Sequence, residues 1–193
     1  DGKLDNTVVI YATDHGEMAG EHGLWWKNGW FEACTRVPLI ISTPESRAAG
    51  TPAMCTTPVA LLDLFPTICS LTGVDIPDDL QGRDLSPALS GEAMTDIPVY
   101  CDALTPRWGQ GTEFRSVRYK QYKYIRFRDA EPLFFDLDND PGETSNLLSQ
   151  ELTSDAKEAL ETMREFANNS VDFDQAEEEM LVRDGNLSSE YKL

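Results

Sequence analysis

The apolar run Thr7–Ala12 (T-V-V-I-Y-A) passes without a break into Thr13-Asp14-His15-Gly16-Glu17. That junction constrains the fold more than any other feature of the chain. Consecutive β-branched and aromatic residues, with no polar alternation, describe a strand buried on both faces. Such strands belong to α/β sheets, whose ligands bind just beyond the carboxyl ends of the strands. Asp14 and His15 stand at that position, and Lys27 follows thirteen residues after Asp14. An acid, an imidazole and an ammonium so arranged can serve a cation and a tetrahedral anion together.

Further elements follow from pattern. Val37–Ile41 (V-P-L-I-I) reads as a second buried strand, with Pro38 near its start, where a missing N–H is tolerable. Thr43–Pro52 reads as loop. Apolar residues at 61, 64/65, 68 and 71 have helical period, and Pro66 fits the first turn if Asp63 is the N-cap. Gly73 ends that helix. Beyond Ile97 the character changes. Val99–Ala103, Phe114–Tyr119, Lys123–Arg128 and Leu133–Asp136 are short aromatic-rich runs separated by turn signals, the mark of an antiparallel meander. Leu152–Phe166 is amphipathic, with Ser154 as candidate N-cap, and the last twenty-odd residues read as a loose acidic wrap. The pattern therefore divides the chain into an α/β part over 1–97 and a small antiparallel sheet with a helix and acidic tail over 98–193.

Charge narrows the partners. The 193 residues carry 34 acids against 16 bases, a formal charge of −18, which disfavours nucleic acid. Twelve of those acids lie between Glu151 and Leu193, a solvated acidic face. No apolar run approaches the ~20 residues of a membrane span, and Asp1-Gly2-Lys3-Leu4-Asp5 lacks the apolar core of a signal peptide. The compartment is left open. Cys34, Cys55, Cys69 and Cys101 show no metal or redox spacing and read as small buried hydrophobes.

Several residues could carry chemistry. Asp14 offers an oxygen to a hard cation, while the His15 imidazole suits manganese, iron or zinc better. Lys27, among Trp25, Trp26 and Trp30, is expected to have a packed stem and a directed head suited to a tetrahedral anion. His22 could line the same pocket. The tryptophans are expected in the core, with stacking on a sugar as the alternative. The basic strand cluster Arg115, Arg118, Lys120, Lys123, Arg126 and Arg128 is expected to pair with the protein's own carboxylates, with contact to an anionic substrate or a missing chain as the alternative.

Taken together, T-D-H-G-E-M-A-G-E-H-G-L-W-W-K with F-E-A-C-T-R-V-P-L-I-I, D-L-F-P-T-I-C-S-L-T-G with L-Q-G-R-D-L-S-P-A-L, R-S-V-R-Y-K-Q-Y-K-Y-I, and L-F-F-D-L-D-N-D-P-G-E-T-S-N-L resemble the type I sulfatases of the alkaline phosphatase superfamily. The resemblance covers about residues 5–150. It implies that residues 1–97 are the end of the larger α/β domain, that Asp14 and His15 are metal ligands and that Lys27 contacts the sulfate group; His22 is a candidate substrate contact or acid from its place in the sequence, with a structural role as the alternative. The resemblance also implies Ca2+, with Mn2+ or Zn2+ as alternatives, and a formylglycine nucleophile made from Cys or Ser. The nucleophile motif, C-x-P-x-R or S-x-P-x-R, does not occur here; Ser42-Thr43-Pro44-Glu45-Ser46-Arg47 places its arginine one position late.

The expectation is thus the C-terminal portion of a sulfuric ester hydrolase, inactive alone. Its nucleophile would lie in a missing N-terminal half, and its substrate would be a sulfate ester such as a sulfated carbohydrate. Two alternatives stand beside it: a phosphonate monoester or phosphodiester hydrolase of the same superfamily, and a non-catalytic sulfatase-like module that binds anions.

Overall fold

A computed structural model describes residues 2–27, 29–50, 54–105 and 107–190, with backbone alone for 184–190. The chain divides into two compact units, Asp1–Ile97 and Pro98–Leu193. In the first, β1 (Val9–Ala12) pairs antiparallel with β2 (Leu39–Ser42), Val9 opposite Ser42 and Ala12 opposite Leu39. Helix α1 (Glu32–Thr35) lies between them in the chain. Both strands begin two residues later than their apolar runs. Thr7 closes a turn through its N–H to Leu4 O, and Pro38 has no N–H to contribute to a ladder.

The expected burial of these strands is not found. Val9, Tyr11 and Ile40 are 45, 62 and 60% exposed. The described residues give the pair no third strand, and a two-stranded ribbon cannot cover its own faces.

Thr43–Pro52 is not all loop. Pro44–Ala49 forms α2, because Thr43 and Ser46 make a reciprocal cap: Ser46 N donates to Thr43 Oγ1 (3.1 Å) and Thr43 N to Ser46 Oγ (2.9 Å). Pro44 then sits in the first turn, where its missing N–H is harmless. From α2, Arg47 donates to Ser42 O (2.9 Å) and Thr7 O (2.7 Å), fastening the start of the β1 segment to the end of β2. Residues 51 and 52 of the expected loop lie outside the described residues.

Helix α3 (Leu64–Thr72) ends at Gly73 with φ 70° and carries Pro66 in its first turn. Asp63 stands at the N-cap, but its side chain does not cap. Its buried carboxylate instead accepts from Arg83 N (2.7 Å), Ala60 N (3.0 Å) and the Arg83 guanidinium (3.3 Å). Thr67 Oγ1 donates to Asp63 O and accepts from Leu85 N (2.9 Å), just before α4 (Ser86–Leu89). Two sequence segments twenty residues apart are thereby one buried polar knot.

The second unit is a meander in the order β3 (Val99–Ala103), β4 (Phe114–Tyr119), β5 (Tyr122–Phe127) and β6 (Leu133–Asp136), antiparallel throughout. Helix α5 (Ser154–Ser170) buries Ala156, Ala159, Leu160, Met163 and Ala167 against Val117, Tyr122, Tyr124 and Phe134. Its N-cap is Thr153, not Ser154: the Thr153 hydroxyl accepts from Ala156 N at 3.2 Å. The acidic end is not loose. Phe173–Glu190 forms α6. Asp172 accepts from the N–H groups of Asp174 and Gln175, both at 3.0 Å, and acids in a first turn suit the helix dipole.

Four of the basic strand residues serve the unit itself. Arg115 forks onto Asp102 (2.7 and 2.6 Å) and donates to Ser170 O (2.6 Å). Arg126 donates to Val171 O (3.1 Å) and lies 4.8 Å over the Phe173 ring. Arg128 meets Glu113 (3.2 Å), Glu177 (2.8 Å) and Asp174. Buried Lys123 pairs with buried Glu143 at 2.9 Å. Three guanidinium groups thus gather near the carbonyl end of α5, where the macrodipole is negative. No disulfide joins the four cysteines. Cys34 and Cys69 are buried as expected; Cys55 is exposed and Cys101 half-buried.

Candidate functional site

Beyond Ala12 the chain leaves β1 and is pinned at once. Gly16 N donates to Cys34 O (2.8 Å) and Glu17 N to Ala33 O (2.9 Å). A Cβ on Gly16 would lie 1.9 Å from Ala33 O. The glycine therefore admits the protein's own backbone rather than a ligand. Gly16→Ala is expected to lower stability by about 1–3 kcal/mol through forced backbone displacement. Thermal unfolding checks this, and an unchanged midpoint would count against the close approach.

Met18, Phe31 and Cys34 form a small buried cluster, joined by half-buried Leu24, Trp30 and Ala33. Between its two arms the chain makes a tight excursion in which Ala19, Gly20, His22, Gly23 and Trp26 all have positive φ. Met18 N donates to Trp26 O at 3.1 Å and closes it. This loop returns Lys27 to the end of β1.

Lys27 Nζ lies 2.7 Å from His15 Nε2, and His15 Nε2 lies 3.4 Å from Asp14 Oδ2. His15 Nδ1 is 2.7 Å from Gly16 O. A carbonyl only accepts, so in the neutral ring Nδ1 is the nitrogen that carries the proton, and Nε2 then offers a lone pair to the Lys27 ammonium or to a cation. Asp14 Oδ1 accepts from His15 N (3.0 Å) and the Thr13 hydroxyl (3.3 Å). Partial desolvation pushes the Asp14 carboxyl up. The adjacent His15, the Asp14 N–H, the Thr13 hydroxyl and the His15 N–H outweigh that and hold it below its ordinary value. Thr13 is a contributor that the sequence reading passed over; a hydroxyl next to a candidate ligand was the available signal.

Asp14 and His15 fit as two ligands of a cation, one oxygen and one nitrogen on the same side. They are not a whole site: among the described residues no group of three or more His, Cys, Asp or Glu side chains gathers. Both are accessible, with side chains 81 and 36% exposed.

The other candidates are placed differently. His22 stacks on Phe31 with ring centroids 3.8 Å apart, and no hydrogen bond or ion pair among the described residues joins it to Asp14, His15 or Lys27. The tryptophans divide. Trp30 is half-buried against Phe31 (5.2 Å), but Trp25 and Trp26 are 65 and 72% exposed. The expectation of core packing fails for those two, because the left-handed turn at Trp26 carries the chain over the surface of the cluster. Lys27 is exposed beside them rather than packed along its stem.

Comparison with known proteins assigns this arrangement to the alkaline-phosphatase-like fold of the sulfatases and narrows the class. Residues 20–169 match the family described as N-sulphoglucosamine sulphohydrolase, C-terminal; the chain belongs to that sulfatase family. It is 31% identical to arylsulfatase K of Bos taurus over 94% of this chain and 35% of that one. It is 30% identical to an N-acetylglucosamine-6-O-sulfatase of Bacteroides thetaiotaomicron over 95% and 34%. Among solved structures, a protein in complex with its substrate D-glucosamine-2-N,6-O-disulfate superposes with a TM-score of 0.65 at 26% identity, over 90% of this chain and 36% of that one. The phosphonate monoester hydrolase of Agrobacterium radiobacter gives 0.64 at 28%, over 85% and 36%. The chain thus spans about a third of the length of the relatives it matches.

Proposed function

We propose that this chain supplies the cation-and-anion face of a sulfuric ester hydrolase acting on a sulfated amino sugar. The observation that carries this reading is the chain of contacts at the end of β1: Lys27 Nζ lies 2.7 Å from His15 Nε2, and His15 Nε2 lies 3.4 Å from Asp14 Oδ2. Asp14 and His15 would hold a divalent cation, which when bound neutralises charge on a sulfate oxygen. Ca2+ is the first choice by family; the imidazole also suits Mn2+ or Zn2+. The His15 Nε2 lone pair can serve Lys27 or a cation, not both. With a cation on Nε2, Lys27 would lose this bond, and all three of its ammonium donors would be available to a tetrahedral anion. His22, stacked on Phe31, is a further candidate for a substrate contact.

The rest of the site would come from residues outside these 193. They lack a C-x-P-x-R or S-x-P-x-R segment, so the formylglycine nucleophile belongs to the part of a sulfatase that the relatives possess and this chain does not span. The exposed apolar side chains of the first unit, Val9, Tyr11, Ile40 and Phe65 among them, suit burial against that part.

The test is sulfate release from glucosamine 6-sulfate by the complete gene product. Turnover should be lost on chelation, restored by Ca2+ or Mn2+, and absent from the 193-residue chain alone. Faster hydrolysis of a phosphonate monoester than of any sulfate ester would favour the second reading, which His15 and the likeness to the Agrobacterium enzyme support. Tight binding of sulfated sugar with no turnover would indicate a non-catalytic module.

A further inference from the structure

Trp26 combines three properties that core packing does not explain. Its backbone is left-handed, with φ 72°, a conformation that a bulky residue adopts only when its surroundings enforce it. The enforcement is visible: Trp26 O accepts from Met18 N (3.1 Å) and from the Cys34 thiol (3.7 Å), both in the buried cluster. Its indole is nonetheless 72% exposed, and among the described residues no hydrogen bond or ring contact holds it. The fold thus fastens the main chain of Trp26 and leaves its ring in water, directly before the lysine that reaches His15.

An indole offers a large apolar face with low conformational freedom. The C–H face of a pyranose matches it while the hydroxyls at the sugar rim stay wet. Lys27 next to it supplies the charge that a sulfated sugar needs and a neutral apolar partner does not. Resting on the sulfatase reading above, we propose that Trp26 is the platform on which the pyranose ring of the sulfated amino sugar stacks while Lys27 holds its sulfate. Trp26 is then a positioning and specificity residue, not a catalytic one.

The experiment uses the complete gene product and its Trp26→Ala, Trp26→Leu and Trp26→Phe variants. For glucosamine 6-sulfate, Trp26→Ala should raise KM about five- to tenfold with kcat nearly unchanged. Trp26→Phe should recover most of the loss and Trp26→Leu little of it. Inhibition by inorganic sulfate, which reaches Lys27 but not the platform, should be the same in all four proteins. Acrylamide quenching gives a second readout: the emission missing from Trp26→Phe should be accessible in the free protein and shielded by glucosamine 6-sulfate. An active enzyme whose KM ignores Trp26, or whose KM and sulfate inhibition shift together, overturns the platform alone. So does a Trp26 already shielded without sugar, the ring then being covered by the protein's own chain. A wild-type protein inert toward every sulfate ester overturns the sulfatase reading, and the platform with it.

Discussion

Lys27→Ala in the complete gene product is expected to lower kcat/KM for a sulfated glucosamine by about 10²–10³-fold, the usual effect of removing one preorganised charge from a transition state. The loss should fall mainly on kcat, because charge builds on the sulfate oxygens and the departing oxygen as the ester bond breaks. Lys27→Arg should recover only part of it. A planar guanidinium does not present three donors to the sulfate from a single point as an ammonium does. Steady-state kinetics with both variants checks this. Circular dichroism should show the fold intact, since Lys27 is exposed. A loss below about threefold would place Lys27 outside the reacting centre.

Asp63→Ala is expected to cost about 3–5 kcal/mol of stability, the range seen when one partner of a buried ion pair is removed. Asp63 is 3% exposed and satisfies the N–H groups of Ala60 and Arg83 as well as the Arg83 guanidinium. Alanine would leave three donors without that acceptor, one of them charged. Asp63→Asn should cost less, since its side-chain oxygen can still accept one of the three. Urea unfolding of the two variants measures the difference. A loss under about 1 kcal/mol for alanine would mean that the knot is solvated and not a buried anchor.

The second unit was nearly transparent in sequence. Aromatic runs broken by turn residues located β3, β4 and β6 at their observed ends and β5 within one residue, because each short strand packs against its neighbours and the helix pattern marks α5. The first unit was less so. An apolar run shows that a strand wants burial, not that the residues present provide it, and Val9, Tyr11 and Ile40 remain exposed. The helix α2 was missed because its cap is Thr43 with Ser46, a weaker signal than Thr with Glu. The helix α6 was missed because its acids read as a tail, although Asp172 starts a helix.

At the candidate site, the meeting of Asp14, His15 and Lys27 was legible from strand end and spacing. The means of that meeting was not. Ala19, His22 and Trp26 in left-handed backbone carry no sequence signal, since only Gly, Asn and Asp advertise that conformation. The exposure of Trp25 and Trp26 follows from that hidden turn.

Asp14, His15 and Lys27 are expected to act as one cation-and-anion site. Anomalous scattering from a crystal of the complete gene product grown with Mn2+ and sulfate tests it directly. The expected result is a metal peak about 2.0–2.6 Å from an Asp14 carboxylate oxygen and His15 Nε2, with sulfate oxygen on Lys27 Nζ. Metal bound elsewhere, with Lys27 still on His15 and no anion beside it, would contradict the account.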